Sequence, residues 1–123
     1  MGLTQCFYAV EPEDVISDTD FRDNHGDKYS FCYFASFSKE ASLHDWMKRL
    51  WEKKVPDTAH RNLCDEYIAL RKEDIDALAR DFHDRRLPLK DRDEWRKKLF
   101  RDFLEKASDY IQKGCIIYYE ARH

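Results

Sequence analysis

The chain has 123 residues, is 42% hydrophobic and 15% aromatic, and carries a formal net charge of −3. With only three Gly and three Pro, this composition is typical of a folded protein with a single domain over residues 1–123, and it excludes a disordered or collagen-like chain. The small negative charge gives the chain no general attraction to nucleic acid.

The N-terminal half is predicted to contain a strand, an acidic loop and a helix. Residues 4–10 (TQCFYAV) are aromatic and β-prone, which indicates a strand, whereas residues 11–28 carry acids and turn formers and indicate a loop. Residues 29–37 (YSFCYFASF) fit either a strand or the first turns of a helix, because a short apolar run suits both. Ser38 is a good N-cap for a helix over residues 39–53. The helix is predicted from an apolar stripe formed by Leu43, Trp46, Met47, Leu50 and Trp51.

The C-terminal half alternates strands and helices. Residues 63–70 read as a strand and residues 72–86 as an amphipathic helix. A capping sequence at Asp91 (DRDE) predicts a long helix to about Lys113, with Gly114 after its end and a strand over residues 115–121. The apolar stripe of the long helix is Trp95, Leu99, Phe103, Ala107 and Tyr110, widened by Phe100, Leu104 and Ile111. We therefore expect an α+β fold, with about three helices packed on one face of a small, mainly antiparallel sheet of three or four strands.

Cysteine usage and the absence of targeting patterns indicate a cytosolic protein. The four cysteines, Cys6, Cys32, Cys64 and Cys115, form no C-x-x-C pair and each lies in or beside an apolar stretch. We expect buried thiols in a reducing cytosol, although an even number also permits two disulfides. No signal peptide, myristoylation pattern or apolar run of membrane-spanning length is found, so no membrane association is expected.

His44 is the best single candidate for a catalytic residue. On the predicted helix it lies about 100° from Leu43, near the edge of the apolar stripe. A general base there would need an orienting partner, yet Asp45 points elsewhere and Lys48, four residues on, would lower its basicity. The simpler expectation is that His44 borders the core through one ring nitrogen.

No metal or cofactor site is predicted. The acidic loop suggests calcium, but neither Asp18 nor Asp20 as first ligand gives the EF-hand spacing of acids, glycine and a final glutamate. The nearest spacing suited to zinc is His60 to Cys64, and a single pair is too few ligands.

Three stretches occur in a characteristic order along the chain: residues 43–47 (LHDWM), 67–78 (YIALRKEDIDAL) and 113–119 (KGCIIYY). Together they resemble a family of small uncharacterised bacteriophage and prophage proteins, which carry an L-H-x-W motif on a helix and a Gly before a Tyr-Tyr strand. Some members are labelled phosphoglycerate kinase, but none of the three glycines here lies in a phosphate-binding loop. The resemblance implies a phage- or prophage-derived protein in the host cytosol.

The aromatic content favours a protein-binding role. Three Trp, seven Tyr and eight Phe exceed the needs of one small core, and Tyr, Trp and Arg dominate interface hot spots. The predicted partner-binding residues combine acids of the N-terminal loop with aromatic side chains: Asp18, Asp20, Asp23, Tyr29, Tyr33, Trp51, Tyr118 and Tyr119. An exposed strand edge at 115–121 would also allow pairing with a second copy of the chain.

The sequence thus favours a non-enzymatic protein–protein interaction module that docks on a host or phage protein, for example as an inhibitor of a host enzyme or defence complex. One alternative is a small hydrolase or metal-dependent enzyme that uses His44 with acidic-loop carboxylates. A second is a nucleic-acid binder through residues 85–101, which hold eight bases and three acids. Its candidate phosphate contacts are Arg85, Arg92 and Arg96.

Overall fold

The computed structural model of the chain describes residues 3–21, 31–55, 61–63, 66–87 and 94–122. Within these ranges the chain has the predicted α+β class. The strands are β1 (Thr4–Val10), β2 (Val15–Ser17), β3 (Asp20–Phe21), β4 (Phe31–Ser38), β5 (Tyr67–Leu70) and β6 (Ile116–Arg122). The α-helices are α1 (Ala41–Lys54), α2 (Lys72–His83) and α3 (Glu94–Gln112).

Four of the strands form one antiparallel sheet in the order β4-β1-β6-β5. The C-terminal strand β6 therefore lies in the interior of the sheet, where Tyr119 is paired with both Phe7 and Ile68. The prediction of an exposed edge at 115–121 is wrong, because β6 has neighbours on both sides. The edges are β4 and β5.

Side chains of each strand alternate between two faces of the sheet. Along β1, Phe7 and Ala9 point toward the helices, while Cys6, Tyr8 and Val10 point to the opposite face. All three helices contribute buried side chains to the first face and none to the second, which confirms the predicted packing on one face. Burying each large apolar side chain contributes about 1.5–3 kcal/mol.

A cluster of phenylalanines forms the centre of the helix-side core. The ring of Phe103 on α3 lies 4.3 Å from Phe7, 5.7 Å from Phe37 and 5.4 Å from Phe100, measured between centroids. Phe34 stacks on the same ring at 5.9 Å. This cluster ties α3 to β1 and β4.

Residues 29–37 were compatible with strand or helix, and the described part of this stretch is strand β4. Phe7 pairs with Ala35 and Tyr8 with Tyr33, so Phe34 is an extra residue that forms a β-bulge. Ser38 is the last residue of the strand and not a helix cap, which corrects the prediction. The reason is a tight turn: Lys39 adopts a left-handed φ of 58° and donates its N–H to the Leu3 carbonyl.

The acidic segment after β1 contains more structure than the predicted loop. A 3-10 turn (Pro12–Asp14) leads into the short hairpin of β2 and β3. The hairpin turn covers the edge of β5, since Tyr67 N–H donates to the Thr19 carbonyl and Ala69 N–H to the Asp18 carbonyl. Strand β5 begins four residues later than predicted.

Helix α3 buries only part of its predicted apolar stripe. Phe100, Phe103, Leu104 and Ala107 are buried, but Trp95 is 65% exposed and Leu99 40% exposed. The C-terminal end is as predicted: Gly114 has a φ of 95° and donates to the Ile111 carbonyl. Cys115 N–H donates to the Tyr110 carbonyl, which completes a Schellman motif.

The thiols differ in exposure. Cys6 is buried and Cys115 half-buried, but Cys32 is exposed, so the prediction of buried thiols is wrong at Cys32. These three cysteines are free, and Cys64 lies outside the described residues. Among the helices of the described ranges, none is both long and apolar enough to cross a membrane.

Candidate functional site

The candidate site is a shallow groove of about 230 Å³ between β4 and the start of α3. We call it the β4 groove. It is lined by Thr4, Ser36, Phe37, Ser38, Trp95, Arg96 and Leu99. One wall is formed by the last three residues of β4 together with Thr4 of the neighbouring strand β1, and the other by the first two described turns of α3.

The strand that borders the groove has an open edge. No described strand pairs with the side of β4 that faces away from β1. From Phe31 to Ser38 the sequence FCYFASFS contains no charged residue and no proline. Natural edge strands are usually protected by charges, prolines or covering elements, because unpaired N–H and C=O groups otherwise bind another strand. A long uncharged edge therefore indicates a surface suited to strand pairing.

The helix side of the groove is apolar. Trp95 and Leu99 are four residues apart on α3, so they project from the same side of the helix. Together with Tyr33 and Ile16 they are the exposed large hydrophobic residues of the described chain. Tryptophan is among the residues that most often anchor protein interfaces, and Trp95 lies beside the edge strand β4.

A buried polar network adjoins the groove through Arg96. Arg96 Nη1 lies 3.4 Å from Glu40 Oε2, and Glu40 is only 1% exposed. Gln5, also fully buried, holds the Glu40 backbone at both polar atoms: its Nε2 donates to the carbonyl at 2.9 Å, and its Oε1 accepts from the N–H at 2.9 Å. Gln5 Nε2 also lies 3.3 Å from the Tyr119 hydroxyl. These contacts join β1, β6, the start of α1 and α3.

His44 belongs to the same network. Its Nδ1 lies 2.8 Å from the Tyr119 hydroxyl and its ring is half-buried. This is the predicted role at the border of the core. Asp18 of the acidic segment instead pairs with Arg71 at 3.0 Å beside the edge of β5. The described structure therefore does not bring His44 together with that carboxylate.

The predicted partner-binding aromatics divide into exposed and buried residues. Tyr33 is 53% exposed, as expected. Trp51, Tyr118 and Tyr119 are buried, so the expectation that they form an exposed surface is wrong. The reason is that β6 is a central strand, while Trp51 packs from α1 into the helix-side core and donates its Nε1–H to Glu66 at 2.9 Å. Buried residues of this kind are not available to a partner.

The remaining predicted residues have separate positions. Arg96 is largely buried against Glu40, which makes it a poor phosphate contact. Arg85 is exposed at the end of α2, with a left-handed φ of 61°. Asp23, Tyr29 and Arg92 and the side chain of Asp20 lie outside the described residues.

The groove was missed from the sequence because its key residues matched core patterns. Trp95 and Leu99 have the spacing of buried positions, and Gln5 lies in an apolar strand where a lone polar residue has no obvious partner. The one usable signal was the run of eight uncharged residues in β4.

The face of the sheet opposite the helices carries a tyrosine cluster. Tyr8 donates its hydroxyl to Glu120 at 2.8 Å, and Arg122 pairs with the same carboxylate at 2.9 Å. Burial, followed by the bond to Glu120, raises the pKa of Tyr8 well above its usual range. Burial likewise raises the pKa of the Cys6 thiol. Both groups are therefore held neutral by the fold.

We expect the protein to lose stability at alkaline pH. The folded state keeps the protons of Tyr8 and Cys6, whereas the unfolded chain releases them near their ordinary pKa values of 10.0 and 9.0. Their contribution is complete below about pH 9 and is lost as the pH rises further. The thermal midpoint should fall by several degrees between about pH 8 and pH 10.5. It should fall less in Tyr8→Phe, and an equal fall in both proteins would contradict the assignment to Tyr8.

No cluster of three or more His, Cys, Asp or Glu side chains suited to a metal ion occurs among the described residues. Comparison with protein-family models, with curated proteins and with solved structures found no match to this chain. The resemblance to phage and prophage proteins accordingly rests on the three sequence stretches alone.

Proposed function

We propose that the protein is a non-enzymatic interaction module that binds another protein chain along the outer edge of β4. The observation that carries this proposal is the combination of an uncharged, eight-residue edge strand with the exposed side chains of Trp95 and Leu99. Main-chain hydrogen bonds of an added strand would supply affinity, and the two apolar side chains would supply specificity.

The polar network of Gln5, Glu40 and Arg96, which adjoins the groove at Arg96, supports a binding role. Recognition surfaces bind more tightly when they are held in shape before the partner arrives. Gln5 and Glu40 fix the turn between β4 and α1, and Arg96 is held beside the groove by Glu40. The residues beside the groove are therefore tied together by hydrogen bonds and an ion pair between separate elements.

The resemblance to phage proteins supports a role during phage infection. In this role the protein acts in the cytosol of a bacterial host and docks on a host or phage protein, for instance to inhibit an enzyme or defence complex. The two alternative functions have less support. His44 Nδ1 lies beside the buried Tyr119 hydroxyl at the border of the core, and Arg96 pairs with Glu40, so both side chains have structural contacts.

Substitution of Trp95 tests the proposal. Tagged wild-type protein is used to capture partners from host cytosol, and a captured protein is then purified and titrated against the variants. We expect Trp95→Ala to weaken binding by at least about 10-fold, because a tryptophan at the centre of an interface contributes about 2 kcal/mol or more.

Ile16→Ala is the matched control. Ile16 is 62% exposed but lies on β2, away from the β4 groove, so its truncation should leave the affinity unchanged. Equal losses in Trp95→Ala and Ile16→Ala, or binding that neither variant affects, would show that the partner docks elsewhere.

A further inference from the structure

We propose that the chain which occupies the β4 groove is a second copy of this protein. The two β4 strands would pair antiparallel about a two-fold axis and join two four-stranded sheets into one. This inference rests on the proposed function, since it names the partner of the same surface.

The two edges of the sheet explain why such an assembly would stop at a dimer. The edge of β5 is already covered by the β2–β3 turn, through the bonds that Thr19 and Asp18 carbonyls accept. Within the four-stranded sheet, β4 is the edge that no described strand or turn covers. Pairing of the single open edge with its own copy uses it up in both molecules, whereas two open edges would allow an endless sheet.

The composition of β4 suits pairing with an identical strand. Like charges placed opposite each other destabilise a strand pair, and in a two-fold contact a charge near the axis faces its own copy. The strand from Phe31 to Ser38 carries none. The charge of −3 per chain also produces little repulsion between whole molecules.

The apolar wall of the groove would be covered in the same contact. A strand added at the edge of β4 runs beside α3, where Trp95 and Leu99 are exposed. In a two-fold dimer each copy covers these side chains of the other. Trp95 and Leu99 of both copies would therefore be buried in the same interface.

The expected dimer is of modest affinity. A strand of eight residues spans roughly 26 Å at about 3.3 Å per residue. A strip of this length, even with Trp95 and Leu99, is smaller than the ~800 Å² per partner of a standard stable interface. We therefore expect a dissociation constant in the micromolar range, so that the monomer and the dimer are both populated during purification.

Sedimentation equilibrium of the full chain tests the inference over about 1–200 µM, the range in which interfaces of this size dissociate. Wild type should show a monomer–dimer equilibrium with no larger species. Ser36→Lys and Ser36→Glu should each weaken the dimer at least about 10-fold, because either charge would be desolvated at the strand contact. Ser36 is exposed, so both variants should remain folded, which thermal melting checks.

Ser108→Lys is the matched control, since Ser108 is exposed on α3 far along the helix from Trp95; its dimer should match wild type. A wild-type chain that stays monomeric throughout, or a dimer that Ser36→Lys leaves intact, overturns the inference. If the chain is monomeric but Trp95→Ala still abolishes binding of a foreign protein, the proposed function stands and only the identity of the partner is wrong. If neither kind of association depends on the groove, both proposals fail.

Discussion

Replacing Gln5 by alanine is expected to destabilise the fold by about 1–3 kcal/mol, the usual cost of leaving a buried polar group without its hydrogen-bond partner. Gln5 is the partner of both the N–H and the carbonyl of Glu40, and it lies within hydrogen-bond distance of the Tyr119 hydroxyl. All three residues are buried. Alanine removes the oxygen that accepts from the Glu40 N–H, and the turn that leads into α1 loses its contact with β1. The Glu40 carbonyl still accepts from the His44 N–H, and the Tyr119 hydroxyl still lies 2.8 Å from His44 Nδ1.

Urea unfolding measures this change, with Gln112→Ala as the control. Gln112 is the last residue of α3 and is exposed, so its replacement should change the free energy of unfolding by less than about 0.5 kcal/mol. A Gln5→Ala protein as stable as Gln112→Ala would mean that the Gln5 contacts contribute nothing to the fold, and that they are not what holds Glu40 beside Arg96 of the β4 groove.

Phe103→Ala is expected to cost about 3–5 kcal/mol, the usual range for removal of a buried aromatic ring. The ring is almost fully buried and touches the rings of Phe7, Phe34, Phe37 and Phe100. Its loss leaves a cavity at the point where α3 packs against β1 and β4, and the surrounding rings are too tightly packed to fill that cavity.

Trp95→Ala provides the comparison within the same helix. The sequence places Trp95 and Phe103 on one apolar stripe, but Trp95 is 65% exposed. Its truncation should cost less than about 1 kcal/mol in the unfolding free energy of the monomer, while it weakens partner binding as described above. Similar losses for the two variants would contradict the observed packing of α3.

Much of the fold could be predicted because it depends on local patterns. The spacing of apolar residues identified α1, α2 and α3 to within a few residues, and Gly114 marked the end of α3 because a left-handed residue is needed there. The strands β1 and β6 followed from their aromatic and β-branched content. The helix boundaries were less well predicted where a turn set them, as at Ser38 and Lys39.

The candidate site was much less predictable than these elements. The expected surface relied on Trp51, Tyr118 and Tyr119, which are buried, and it omitted Trp95 and Leu99, which are exposed. The same sequence pattern places an aromatic strand residue toward the core in one fold and toward the solvent in another, and the outcome depends on which elements cover that strand.

The sequence by itself determined the class of the fold, the order of its main elements and the presence of an apolar and a polar face on each helix. These features follow from periodicity within short stretches of chain. The tertiary structure alone decided that β6 is central and β4 an edge strand of the described sheet, that the first described turns of α3 lie beside the end of β4, and that Gln5 meets Glu40 across 35 positions of the chain. Each of these depends on pairing between distant residues. The order of strands in a sheet is a choice among several pairings with similar local patterns, and the burial that results from each pairing selects the one adopted.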